Sequence, residues 1–173
     1  MGKRMAIVGP ESSGKTTLSL QLAEHLGGRV IPEMARSYLE KYGPTYDFKS
    51  LSRISELQFE AWENAIKAYP TQILICDTEW VNLLLWSRIK YGKVPQEIVD
   101  KVRGVHFDVV FLCAPDLTWE PDPLREHPTG RDWLWVAWVE VLRSFGIPFV
   151  PLHGQDKFSQ AIQYLRAHTE PGV

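Results

Sequence analysis

The run Gly9-Pro10-Glu11-Ser12-Ser13-Gly14-Lys15-Thr16 fits the pattern G-x-x-x-x-G-K-[ST] at every fixed position. Residues of these types at this spacing grip phosphate. Glycines let the backbone curl until successive N–H groups point at phosphate oxygens, and the N-terminus of a following helix adds positive potential. Lys15 can reach the β- and γ-phosphates, and the Thr16 hydroxyl is placed to ligate Mg²⁺. The expected ATP-binding segment therefore runs from Gly9 to Thr17. The chemistry it suits is transfer of a terminal phosphoryl group.

Other residues could complete that chemistry. Asp77 follows the apolar run Ile73-Leu74-Ile75-Cys76, as does the second acidic motif that finishes a Mg²⁺ site beside Thr16. It could equally cap the helix that follows, and the two roles can coexist. Glu33 and Arg36 open a helix after a short strand. A carboxylate there can take a proton from a substrate hydroxyl, and an arginine can hold a substrate by its planar fork. Glu33 also simply suits the positive end of a helix. Arg125 and Arg131 flank or sit in a proline-rich stretch that starts at Trp119. They suit a lid whose arginines stabilise charge on the transferring phosphoryl group. The plainer reading is an exposed loop of self-paired charges. Trp80 and Trp119 each adjoin a carboxylate at a predicted strand end, where a ring can meet a ligand. Trp62, Trp133, Trp135 and Trp138 lie on apolar helices and read as core or subunit interface.

The elements that must position these groups alternate along the chain. Met5–Val8, Arg29–Ile31, Ile73–Cys76, Val109–Cys113 and Pro148–Leu152 read as strands. Predicted helices cover Thr17–Leu26, Glu33 to near Gly43, Leu51–Tyr69, Glu79–Tyr91, Pro95–Val102, Asp132–Phe145 and Asp156–His168. Strands alternating with helices predict an α/β fold, a five-stranded parallel sheet of P-loop NTPase type with helices on both faces. The prolines of the last strand suggest an edge. Ligands bind at the carboxyl ends of such strands, where every candidate above falls.

Composition narrows the class. The 173 residues suggest one domain, residues 1–173, with a lid at about 114–132. Hydrophobic content of 45% and a net charge of −2 give no electrostatic case for a nucleic acid partner. The densest apolar run, Trp133–Val139, is too short for a membrane span, and no leader pattern opens the chain, so a cytoplasmic protein is expected. Cys76 and Cys113 should be buried thiols on strands separated by a third, too far apart for a disulfide. The five histidines show no zinc spacing. The helix from Trp133 to Phe145 fits core or interface equally, which leaves a homo-oligomer open.

With these residues placed, GPESSGKTTL, PEMARSYL, LICDTEW and LCAPDLTWEPDPLRE together resemble the ribosylnicotinamide kinase domain of NadR-type proteins. The resemblance runs from Ile7 to about Val150; DTEW and WEPDPLRE are its more specific parts. It implies an enzyme that uses ATP and Mg²⁺ to phosphorylate the 5′-hydroxyl of nicotinamide riboside, giving nicotinamide mononucleotide. It implies that the loop Gly9 to Thr16 binds ATP, that Asp77 belongs to the Mg²⁺ and reaction site, that Glu33 and Glu79 meet the substrate hydroxyls, and that Arg125 and Arg131 belong to the lid. The residues themselves, by position, add Lys15, Thr16 and Glu33 to the catalytic or metal set and Arg36 and Asp77 to the substrate side, with Trp80 as the first candidate for the base and Trp119 and Tyr38 next. Fused relatives carry a nucleotidyltransferase signature H-x-G-H. The sequence shows none, so NAD⁺ synthesis from the mononucleotide is not expected.

Three readings compete with this one: a kinase for another nucleoside or small hydroxyl compound, an ATP-binding regulatory module, and a nucleotide-driven switch or motor. A GTPase would need [NT]-K-x-D, which does not occur, and an AAA-type motor usually shows Asp-Glu where this chain has Asp77-Thr78. Partners are thus expected to be small molecules: ATP and a nucleoside.

Overall fold

Residue Arg4 starts the first strand, and from there the chain builds its sheet from the middle outward. In the computed structural model, which describes residues 2–122 and 131–168, the strands are β1 (Arg4–Val8), β2 (Arg29–Ile31), β3 (Leu74–Asp77), β4 (Val109–Cys113) and β5 (Val150–Leu152). All pairings are parallel, in the order β2-β3-β1-β4-β5. The helices are α1 (Lys15–Leu26), α2 (Met34–Tyr42), α3 (Phe48–Ala68), α4 (Trp80–Tyr91), α5 (Gln96–Gly104), α6 (Arg131–Ser144) and α7 (Lys157–Ala167).

Successive side chains of a strand point to opposite faces, so β1 feeds two cores. Met5 and Ile7 pack with Leu18 and Leu22 of α1 and Ala161 and Leu165 of α7. Ala6 and Val8 face the larger cluster, which holds Leu51, Trp62, Leu84, Ile98 and Trp138 from α3 to α6. Both faces are covered, which is why the strands read as unbroken apolar runs. Cys76 and Cys113 are buried free thiols on β3 and β4, with β1 between them. Trp133 differs from Trp138 on the same helix: its ring lies 45% exposed, outside the core.

The boundaries shift for local reasons. The third helix begins at Phe48 rather than Leu51. Asp47 and Ser50 form a capping box, the Ser50 amide donating to Asp47 Oδ1 at 2.8 Å, and this adds a turn. The last strand begins at Val150, since Pro148 has no N–H for the ladder. That strand does lie at an edge, as its prolines require. No helix among the described residues is long and apolar enough to cross a membrane.

Candidate active site

The phosphate loop leaves the carboxyl end of the central strand and turns directly into α1. Gly9 adopts φ 138°, and a β-carbon there would sit 2.4 Å from the Cys113 carbonyl oxygen. Gly14 caps α1 at φ 84°, in the left-handed region that glycine reaches freely. The loop therefore needs glycine at both places for different reasons. Within it the Lys15 ammonium and the Ser13 hydroxyl both donate to the Pro10 carbonyl, each at 2.8 Å. Lys15 thus has an internal acceptor until a phosphate replaces it.

A cavity of about 490 Å³ opens over the loop, within the range of small-molecule sites. One wall is the loop itself, Gly9, Glu11 to Thr17. The opposite wall comes from the start of α2 (Glu33, Arg36, Ser37), from Asp77, and from Asn82 and Trp86 of α4. Leu117, Thr118 and Glu120 form the roof. The expected Lys15, Thr16, Thr17, Glu33, Arg36 and Asp77 are therefore brought together.

Electrostatics separates their roles. Burial raises the Glu33 carboxyl to about 7, against the pull of Lys15 and with a further push from Asp77. The Asn82 side-chain amide donates to Glu33 Oε1 at 3.2 Å. A carboxyl poised near neutrality can exchange a proton with a substrate hydroxyl. Burial also raises Asp77, while hydrogen bonding from Thr16 and the Lys15 charge oppose it. Its Oδ1 is buried without a hydrogen-bond partner. Mg²⁺ usually takes only one or two protein oxygens besides water and phosphate. The Thr16 hydroxyl beside this carboxylate fits that need, and among the described residues no cluster of three His, Cys, Asp or Glu competes with it.

Arg36 is turned toward the roof rather than the cavity floor. Its guanidinium meets Asp122 Oδ2 at 2.5 Å and Glu40 Oε1 at 3.6 Å. Nearly half of the Arg36 side chain is exposed, so the pair with Asp122 contributes about 1 kcal/mol or less, and a ligand can displace it. Arg131 donates to the carbonyls of Ser12 (3.2 Å) and Leu117 (2.8 Å) and lies 5.7 Å from the Trp119 ring centre. Neither Arg131 nor Trp119 lines the cavity. Arg125 lies outside the described residues.

Two expectations are corrected. Trp80 is fully buried: its indole N–H donates to the Ser55 carbonyl at 3.2 Å, and its ring meets the edge of Phe59. It has no face for a base. Glu79 is folded back as the N-cap of α4, accepting from the Val81 amide at 2.9 Å, and burial lifts its carboxyl to about 7. It lies beneath the cavity wall and does not meet a ribose. Tyr38 packs on Tyr42, with ring centres 4.7 Å apart, and does not line the cavity either.

The residues that take these places are Asn82 and Trp86, one helical turn apart on α4. Trp86 stacks on Tyr46 at 5.8 Å and shows its other side to the cavity. Thr78 lies between β3 and α4. Its φ of 71° is rare for a β-branched residue, and its N–H is held by the Ile7 carbonyl at 3.0 Å. Glu79 and Trp80, which follow that turn, are buried, while Asn82 and Trp86 border the cavity. Helix α4 is apolar on most sides, and the spacing of Asn82 and Trp86 was the one hint along it of which side faces the site.

Comparison with known proteins follows the same lines. Solved structures of similar fold include the NadR protein in complex with NR (TM-score 0.83, 18% identity, covering 99% of this chain and 52% of that one). The NadR protein in complex with NAD and AMP-PNP gives TM-score 0.81 at 18% identity, over 99% of this chain and 51% of that one. Thymidylate kinase from Ehrlichia chaffeensis gives 0.64 at 17% identity, over 95% and 100%. The chain spans about half the length of the NadR chains. No curated protein matches the sequence. The likeness to these structures establishes the fold, a P-loop fold shared with kinases. Residues 4–157 match the family described as AAA domain, and it is to this P-loop family that the chain belongs.

Proposed function

We propose that the protein transfers the γ-phosphoryl group of ATP to the 5′-hydroxyl of nicotinamide riboside. The observation that carries this reading is the acidic acceptor wall facing the phosphate loop. Glu33 and Asp77 lie there with the neutral Asn82 and the ring of Trp86, and Arg36, whose pair with Asp122 a ligand can displace, is the one described cation of that wall. A phosphate-bearing acceptor would meet repulsion from the two carboxylates. An uncharged or cationic nucleoside would not, and a pyridinium ring gains from carboxylates and an aromatic face. That NadR, a structure of this fold, is known in complex with NR supports the choice.

The step balances simply. Glu33 accepts the proton of the 5′-hydroxyl as its oxygen bonds to the γ-phosphorus. The bond from that phosphorus to the β,γ-bridging oxygen breaks, and ADP leaves with the electron pair. Lys15 shifts from the Pro10 carbonyl to the phosphates and neutralises developing charge. Thr16 and Asp77 would hold a Mg²⁺ ion, which when bound would supply positive charge against the phosphate oxygens. Asn82 keeps the Glu33 carboxylate aimed.

Mass spectrometry of the products from ATP and nicotinamide riboside tests this directly. Nicotinamide mononucleotide with equimolar ADP is expected. ADP with an unchanged riboside would make the protein an ATPase or regulatory module instead. Phosphorylation of uridine or thymidine alone would make it a kinase for other nucleosides.

A further inference from the structure

We propose that Ser12 is a positioning residue that carries phosphate occupancy of the loop to the roof of the cavity. The inference rests on the ATP-binding reading above. Four contacts point to it. The Ser12 hydroxyl accepts from the Glu120 amide at 3.0 Å and donates to the Thr118 carbonyl at 3.4 Å. The Ser12 carbonyl accepts from Arg131, whose other guanidinium nitrogen holds the Leu117 carbonyl. Leu117 also closes on the loop so tightly that a β-carbon at Gly14 would lie 2.9 Å from its Cδ1. The roof segment 117–120 is thus attached to the apex of the phosphate loop, not merely near it.

The apex is also under tension. Ser12 holds φ 53°, a conformation that non-glycine residues rarely adopt and keep only where surrounding contacts fix it. Ser12 sits two residues after Pro10, whose carbonyl receives both Lys15 and Ser13. Arrival of phosphates gives Lys15 a stronger, charged acceptor and so removes one of the two bonds on Pro10. The loop apex then settles on the phosphate, and the roof follows because Ser12 holds it. Arg131 acts in this arrangement as a brace between loop and roof. It holds the two carbonyls with separate nitrogens of its planar fork.

Hydrogen–deuterium exchange of the whole protein, with and without AMP-PNP, tests the coupling. Wild type, Ser12→Gly and Ser12→Ala are compared. Without nucleotide, the Glu120 amide should exchange about tenfold faster in both variants, since each lacks the acceptor hydroxyl. With AMP-PNP at a concentration that calorimetry shows to saturate each protein, wild type should gain protection over 117–120 and neither variant should. Glycine relieves the backbone at φ 53° whereas alanine does not, so equal behaviour assigns the effect to the hydroxyl. Full nucleotide-dependent protection in either variant would overturn the proposal, as would an effect seen in Ser12→Gly alone. Calorimetry on the wild type separates the two levels. Failure to bind AMP-PNP would overturn the ATP reading and the coupling with it. Binding without a change at 117–120 would overturn the coupling alone.

Discussion

Asn82 donates its side-chain amide to Glu33 Oε1 across 3.2 Å, joining the fourth helix to the start of the second at the acceptor wall. A hydrogen bond to the charged form favours ionisation. Burial lifts Glu33 to about 7, with the Lys15 charge opposing it. The bond from Asn82 fixes the direction in which the proposed proton acceptor points.

The pH dependence follows. The proton acceptor must be ionised, so kcat/KM should rise with pH through about 7 and level off above it. In Glu33→Gln that limb should vanish along with roughly 10²–10⁴-fold of rate. Asn82→Ala removes a bond to the carboxylate and should move the limb to higher pH. A Glu33→Gln protein that keeps the wild-type limb would assign it to another group.

Lys15→Ala should remove turnover and leave the fold intact. The amine holds only the Pro10 carbonyl of its own loop, a contact worth about 1 kcal/mol. Its charge matters when phosphates arrive, and a lost preorganised donor costs about 10²–10³-fold in kcat. Thermal unfolding and ADP release measured together check this.

Arg131→Ala should lower kcat more than it raises the KM for ATP. Its two carbonyl bonds hold loop and roof in place rather than binding the nucleotide in the ground state. Arg131→Lys should not recover the loss, because its single ammonium nitrogen lacks the rigid two-nitrogen fork that holds the two carbonyls. Recovery by lysine would show that charge alone is needed.

Glu79 gives a stability prediction with a definite window. Its carboxyl has an ordinary value of 4.5 and about 7 in the fold, so the folded state favours the protonated form. The burden is absent below 4.5, grows as pH rises to 7, and is constant above. Glu79→Gln keeps an acceptor for the Val81 amide and removes that burden. Its Tm advantage over wild type should therefore widen between pH 4.5 and 7, by on the order of 10 °C. A constant Tm difference across that range would place the carboxylate in contact with water.

Much of this architecture was legible in the sequence, and the reasons are physical. The glycine pattern, the apolar runs and the helix stops each encode local geometry, and from them came the five strands, the parallel sheet and the edge position of Val150–Leu152. Lys15, Thr16, Glu33 and Asp77 were legible because strand ends place residues at one rim. Trp80 and Glu79 were misread where a single residue, Thr78, takes a left-handed turn. No propensity announces that conformation in threonine. Trp86 was overlooked because an apolar helix hides which of its sides borders a cavity. The bond from Ser12 to Glu120 spans 108 residues, and no local pattern encodes it.

Trp86 is the aromatic residue that borders the acceptor space. Trp86→Ala should raise KM for the riboside and leave KM for ATP unchanged. Trp80→Phe should leave the substrate preference as it was and lower stability, because the Ser55 carbonyl loses its donor. The reverse pattern would return the base to Trp80.

The most direct measurement is a coupled ADP-release assay with nicotinamide riboside, uridine, cytidine and thymidine side by side. A desolvated pyridinium against an aromatic face and carboxylates gains roughly 2 kcal/mol over a neutral base, and 1.4 kcal/mol is a factor of ten. The account predicts that nicotinamide riboside exceeds uridine by at least about tenfold in kcat/KM. Equal or greater turnover of uridine, or ADP release that no nucleoside stimulates, would contradict it.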